Sequence, residues 1–262
     1  MDFKKPLLAL GLLALTASAQ AVDSVPASPT VSMGVDAGST FFVVSGSEDL
    51  GNGKMENKGV FCGMRAEMEF VLPKAYHVSL LGVYAPGSQT STQSMSIGMA
   101  MDVYEQKNHS YLWQVEAKAG KTLEVKGFTL LPYVTGGWYH TDSSVVVTYL
   151  SVDEPIVSQT KMDWKYAGLG LLAEYSLSPN FSLGLGAKGM KHLVSDAEIS
   201  INDAVQVVDM DSSYGYEVYM PVKWWFGPQT SWYVHAEPFM LKIDAAKDVT
   251  IYGGRISFQK SF

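Results

Sequence analysis

His235 and Glu237 are the residues best placed to do chemistry, standing two apart in the stretch "HAE". Residues i and i+2 of a β-strand share a face. That spacing gives an imidazole able to act as general base and a carboxylate able to orient it. A hydrolase also needs a nucleophile within hydrogen-bond reach, and the sequence places none there. The same pair suits a hydrogen-bond network between facing strands, which is the preferred reading. His77, His140 and His192 fall near strand ends as rim residues, and His109 falls in the turn-like "EQKNHS". No HExxH, Cys-His cluster or carboxylate run at calcium-loop spacing occurs. "GLGL" and "GLGAKG" lie inside strands, where a phosphate-binding loop does not form. The expectation is therefore a non-enzymatic chain with no catalytic residue, no metal and no cofactor.

The elements that position these residues are strands. From Val60 to Leu72, Val60, Cys62, Met64, Ala66, Met68, Phe70 and Leu72 alternate with a set that includes Arg65, Glu67 and Glu69. The pattern recurs over Ser94–Val103, Tyr111–Gly120, Phe181–Lys188 and Tyr214–Phe226. A helix, with its period of 3.6, cannot keep such a set on one side. Turn chemistry separates candidate strands at 31–44, 58–72, 75–85, 94–105, 110–124, 127–140, 156–176, 181–201, 205–226, 231–243 and 249–262. The breakers include "LPKA", "APGSQTS", "SPN", "GPQT" and "DAAKD". An even count is required of a single-chain antiparallel barrel. Ser143–Ser151 as a strand of its own gives twelve, the favoured number. If it instead extends its predecessor into a projecting hairpin, one early strand is false and the number is ten.

Strands this long exceed the usual globular length of about 5–6 residues. Aromatics flank the apolar face beside one turn: Trp224 and Phe226 before "GPQTS", Trp232 and Tyr233 after it. Aromatics that bracket an apolar band suit a membrane barrel. The first 21 residues supply the export context: Lys4 and Lys5, an apolar run from Leu7 to Ala17, and a cleavage site at Ala19-Gln20-Ala21. That run is too short to span a bilayer as a helix, and no later segment approaches such a span. The expected division is a signal peptide over 1–21, a short segment over 22–30 and one all-β domain over 31–262.

A net charge of −7 without a basic cluster argues against a nucleic-acid partner. The single cysteine, Cys62, forms no internal disulfide and sits on an apolar face.

The signal segment, the alternating strands and the closing "GRISFQKSF" together resemble a Gram-negative outer-membrane β-barrel protein. "FTLLPYVTGGWYH" and "EYSLSPNFSLGLGAKG" are similar to stretches of autotransporter-type and related barrels. The resemblance implies an antiparallel up-and-down transmembrane barrel of 10–12 strands in the cell outer membrane, with outer-membrane lipids as surroundings. It also implies that the barrel-assembly machinery reads Tyr252, Ile256, Phe258 and Phe262 as an insertion signal. Lys260 departs from that pattern, and its stem can lie along the surface with the ammonium in the polar interface.

Alternation assigns the inner face Arg65, Glu67, Glu69, Glu116, Lys118, Glu174, Lys188, Glu217, Lys223, His235, Glu237 and Arg255, with Asp36 and Asp102. A mixed set of charges points first to a salt-bridged plug and second to a weakly cation-preferring pore. Gly168, Gly170, Gly184 and Gly186 make inward room for large neighbours such as Tyr166, Met190 or Arg255. The expected function is a structural or surface-exposed barrel, or a narrow channel for an unknown solute or extracellular ligand. The alternatives are an embedded hydrolase of lipid, lipopolysaccharide or peptide, and an autotransporter-like translocator. The short segment 22–30 leaves little room for a passenger ahead of the first strand.

Overall fold

Long period-two runs produce long strands, and the thirteen strands among the described residues form one antiparallel sheet whose ends meet. The computed structural model describes residues 32–49, 53–97, 100–147, 156–201, 204–209, 212–226, 232–244 and 248–261. The signal-like segment with Ala19 and Ala21, the segment 22–30 and Phe262 lie outside them. In chain order come β1 (Ser32–Asp49), β2 (Gly53–Leu72), β3 (Tyr76–Ile97), β4 (Ala100–Lys121) and β5 (Leu123–Val125). β6 (Phe128–Val147), β7 (Ile156–Ser178), β8 (Phe181–Ile201) and β9 (Ala204–Asp209) follow. β10 (Tyr214–Tyr219), β11 (Val222–Phe226), β12 (Trp232–Asp244) and β13 (Asp248–Ser261) complete the set.

These segments close a barrel of ten strands, with β5 and β9 off the closed path against β6 and β8. β10 and β11 form one barrel strand broken near Pro221, because both pair β8 on one side and β12 on the other. Proline has no N–H to give the ladder. The seam is β1 against β13, from Gly34↔Ser261 to Ser47↔Asp248.

The favoured count of twelve is corrected to ten. Residues 94–105 do not form a strand. Ser94 faces Val103 and Ile97 faces Ala100, so the two halves of that run pair with each other at a hairpin tip. Nor is Ser143–Ser151 a strand of its own, since its described part continues β6 and Val147 pairs with Ile156. "APGSQTS" is no turn either. It lies within β3, where only the β2 ladder is interrupted, between Met64↔Tyr84 and Phe61↔Gly87 beside Pro86. Alternation reports the pleat, and it continues unchanged through a hairpin whose two halves pair with each other.

Short connections gather at one end of the barrel: Pro73–Ala75, Lys126-Gly127 and Pro179-Asn180. Lys126 and Gly127 both have positive φ, at 48° and 87°. That is the conformation a two-residue hairpin needs to match strand twist, and glycine adopts it freely.

The outward face near this end is apolar: Met64, Leu185 and Phe258 are each more than half exposed. On β6, Phe128 and Trp138 stand ten positions apart, both outward-facing and exposed. That separation matches the about 9–11 tilted residues that cross a bilayer. Tyr76, Trp224, Phe226 and Trp232 mark the short-turn edge of the band, and Trp113 the other. Tyr233, expected beside Trp232 on that face, is buried inside instead. Consecutive residues of a strand point to opposite sides.

Candidate functional site

The inner face gathers charges from seven strands into a closed circuit. Glu67 meets Arg65 at 2.6 Å, Arg65 meets Asp36 at 4.0 Å and Asp36 meets His235 at 3.6 Å. His235 meets Glu237 at 3.6 Å, Glu237 pairs with Arg255, and Arg255 reaches Glu217 at 3.0 Å. Glu217 meets Lys188 at 2.8 Å, and Lys188 meets Glu116 at 2.7 Å. Lys118 closes the path, 3.3 Å from Glu116 and 4.0 Å from Glu67. Acid and base alternate at every step.

Backbone register explains how the circuit forms. Glu217 and Lys188 are directly opposed on β10 and β8, as are Glu237 and Arg255 on β12 and β13. Asp36 and Glu67 are also directly opposed, a like-charge pairing that costs stability by itself. Arg65 offsets it by contacting both. Between β4 and β8 the circuit must cross β6 and β7, and there glycine clears the way. Gly137 stands opposite Glu116, and Gly170 stands opposite Lys188.

Glycine also receives rings. A Cβ on Gly170 would strike Tyr133, one on Gly186 would strike Tyr219, and one on Gly137 would strike Tyr166. The Tyr133 and Tyr219 hydroxyls then meet at 2.9 Å, and Tyr166 donates to Glu116. Of the glycines expected to seat Tyr166, Met190 or Arg255, Gly168 approaches Met190.

Two further layers lie along the lumen. Toward the short turns, Lys223 pairs with Glu174 at 2.5 Å, and Glu69 accepts from Gln259 at 2.9 Å and meets His77 at 2.6 Å. An apolar cluster occupies another part of the interior, with Phe42 stacked on Phe61 at 5.0 Å and Leu81, Leu112, Met190 and Ile243 buried in it.

Of the fourteen residues assigned to the inner face, thirteen sit on inward positions, Asp36 among them, and the side chain of Asp102 lies outside those described. Arg65, Glu116, Lys188, Glu217, His235 and Glu237 are buried, and Glu67, Glu69, Lys118, Glu174, Lys223 and Arg255 are half-buried. The circuit joins nine of them with Asp36, while Glu69, Glu174 and Lys223 form the layer below. Tyr252, Ile256 and Phe258 project outward from β13.

The histidines depart from expectation in part, since His77 does fall near a strand end, second in β3. His77 and His192 are buried within the barrel, and His192 Nδ1 lies 2.7 Å from the Ser213 hydroxyl. His109 belongs to β4 rather than a turn. His140 faces outward, sharing Asp163 with the Trp138 indole. The His192–Ser213 contact carried no sequence signal, because it depends on the register of β8 with β10 across 21 residues.

His235 and Glu237 do share a face, but Arg255 neutralises Glu237, and Asp36 lies on the other side of the imidazole. The nearby Ser257 hydroxyl donates to Asp36 at 2.6 Å rather than to His235. No cluster of metal-ligating side chains occurs among the described residues.

No family model matches the sequence, and no curated protein matches it. Solved outer-membrane barrels do match by structure. The outer membrane protease OmpT of Escherichia coli is 9% identical, with 92% of this chain and 99% of that chain covered and a TM-score of 0.65. The translocator domain of the autotransporter NalP of Neisseria meningitidis is 14% identical, covering 97% and 95% at a TM-score of 0.46. OprG of Pseudomonas aeruginosa is 12% identical, covering 89% and 97% at 0.39. At such identities the likeness is one of fold. The chain folds as an outer-membrane β-barrel, an architecture in accord with a place in the cell outer membrane.

Proposed function

We propose that this protein is a non-enzymatic, non-conducting barrel of the outer membrane that presents its long hairpins at the cell surface. The observation that carries this reading is the burial of lumen charge. Asp36, Glu116, Lys188 and Glu217 are 2%, 1%, 4% and 2% exposed. In a water-filled channel such groups would be hydrated. Here they are enclosed by one another and by apolar and aromatic side chains, as in narrow barrels filled by their own residues. The short turns face the periplasm and the long hairpins the exterior, the usual arrangement of such barrels.

The test is single-channel recording on the refolded full chain in a planar bilayer. Absence of discrete conductance steps is expected, and reproducible steps would overturn the sealed reading.

A hydrolase reading draws on the OmpT likeness, since that neighbour is a protease. Against it, the one candidate pair is buried and its carboxylate is held by Arg255. A translocator needs a lumen wide enough for a passing chain, and the packed interior does not favour one. The outward residues Tyr252, Ile256 and Phe258, with Phe262, are proposed to serve the barrel-assembly machinery during insertion.

A further inference from the structure

The outward face of the barrel changes character along the edge of the apolar band nearest the long hairpins. On β6 that edge is marked by Trp138, ten positions from Phe128. Lys165 of β7 stands directly opposite Trp138, and Tyr175 stands directly opposite Phe128. Lys165 therefore lies at the level where hydrocarbon gives way to headgroups. The following strands repeat the spacing. Lys191 of β8 is ten positions from Phe181, and Lys242 of β12 is ten from Trp232. Both share the parity of exposed outward neighbours, Leu185 and Leu193 on β8 and Trp232 on β12. Lys165 and Lys191 are exposed and Lys242 is half-buried. Toward the same edge on other strands the exposed outward residues are Phe41, Val60, Trp113 and Tyr252.

The three lysines occupy strands that follow one another around the wall: β7, β8 and, past β10, β12. At about 4.8 Å per strand they span about 15 Å. A single lysine at this depth needs no partner, since its stem lies on the apolar wall and its ammonium reaches the interface. Cations on neighbouring strands repel one another, and an anion among them removes that cost. The described carboxylates of this face are engaged elsewhere. Asp163 accepts from the Trp138 indole at 2.7 Å and meets His140 at 3.1 Å, and Glu198 meets Lys161 at 3.2 Å. Lys191 stands 5.9 Å from the ring centre of Tyr214, which is opposite it on β10. Asp244 lies two positions beyond Lys242, so the site turns on Lys165 and Lys191. The occupant follows from the fold, because the outward face of an outer-membrane barrel meets lipid at this level. We infer that Lys165 and Lys191, flanked by Lys242, hold the phosphate of an anionic outer-leaflet lipid, whose acyl chains lie against Leu185 and Val218. An ammonium binds phosphate as a compact point charge, and clustered lysines at a membrane surface select anionic headgroups. A zwitterionic headgroup brings its own cation and gains less from the arc.

Assignment to the outer leaflet rests on the surface placement of the long hairpins proposed above; the headgroup site does not. The site is tested with the full chain refolded in an uncharged detergent and mixed with equal amounts of phosphatidic acid and phosphatidylcholine of the same acyl chains. Native mass spectrometry then reads which lipid the protein retains. Preferential retention of phosphatidic acid is expected. Lys165→Gln together with Lys191→Gln should lower that preference by roughly tenfold or more. Lys121→Gln, at the short-turn edge, should leave it unchanged, and glycerol phosphate should not displace the lipid. Heat-modifiable gel migration reports that each variant barrel is intact. Equal retention of the two lipids, an unchanged preference in the double variant, an equal fall in Lys121→Gln, or displacement by glycerol phosphate would each overturn the site. An epitope inserted between Ile97 and Ala100 and stained on intact cells judges the leaflet separately. Absence of staining would overturn the outer-leaflet assignment and leave the headgroup site standing. Conductance plays no part in either measurement. A conducting barrel that still prefers phosphatidic acid removes only the sealed-lumen reading, and a silent one without the preference removes only this inference.

Discussion

Lys188 of β8 reaches Glu116 of β4 at 2.7 Å across two intervening strands, because both strands present glycine at the crossing. The contact ties two non-adjacent strands of the wall together through the interior. Replacing Lys188 by methionine would keep the volume and leave Glu116 and Glu217 each short of a buried partner. A loss of about 3–5 kcal/mol is expected, measured as a lower midpoint of unfolding in denaturant. Glu116→Gln added to that variant should cost less than it does alone, the signature of coupled groups.

His235 sits in the loosest arc of the same circuit, with both acidic neighbours at 3.6 Å and Arg65 Nη1 and Asp36 Oδ1 without hydrogen-bond partners. His235→Ala should therefore cost far less than the Lys188 change, about 1 kcal/mol. Any lipid or peptide hydrolysis shown by the refolded protein should be unaffected. Loss of such an activity in this variant would revive the hydrolase reading.

Gly170 and Tyr133 fit as recess and ring. Gly170→Val should destabilise by about 1–3 kcal/mol through overpacking, seen as earlier loss of the heat-resistant gel form. Tyr133→Ala in the same chain should recover much of that loss. A Gly170→Val variant as stable as the parent would show that the ring moves aside freely.

Leu185 stands on the outward face and is 61% exposed. In water an arginine there would be nearly neutral. Near the middle of a bilayer it should cost about 2–4 kcal/mol. Comparing the unfolding of Leu185→Arg in lipid vesicles with the parent chain distinguishes the two surroundings.

Deletion of Phe262, or Phe258→Ser, should reduce assembly in cells, read as less heat-modifiable protein in the outer-membrane fraction. Unchanged assembly in both would count against an insertion role for the closing strand.

Side-chain direction was legible in the sequence because period two is written residue by residue. Arg65, Glu116, Lys188, Glu217 and Arg255 follow from parity alone, and so does the outward set of Val60, Met64 and Met68. Strand number was less legible. A hairpin tip such as that joining Ile97 to Ala100 interrupts neither the alternation nor the polarity of its surroundings. Partner identity was least legible. That Lys188 meets Glu116, or Asp36 meets Ser257, depends on register and barrel closure over separations of 72 and 221 residues. Tyr233 shows the opposite failing: its ring chemistry suggested an interface, and the strict pleat overrode it.

The β1–β13 seam has a consequence for the order of events during assembly. It joins the first described strand to the last, so it forms late by the ordinary cost of closing a long loop. Until then Asp36 and Arg255 lie at opposite margins of an open sheet, still wet. Closure brings Ser257 and His235 to Asp36, and Gln259 to Glu69, in the same movement that removes the final edge. A strand that arrived two residues out of step would close the wall while leaving carboxylates stranded without cations. The interior charges thus act as a proofreading code for the seam, checked at the moment water leaves.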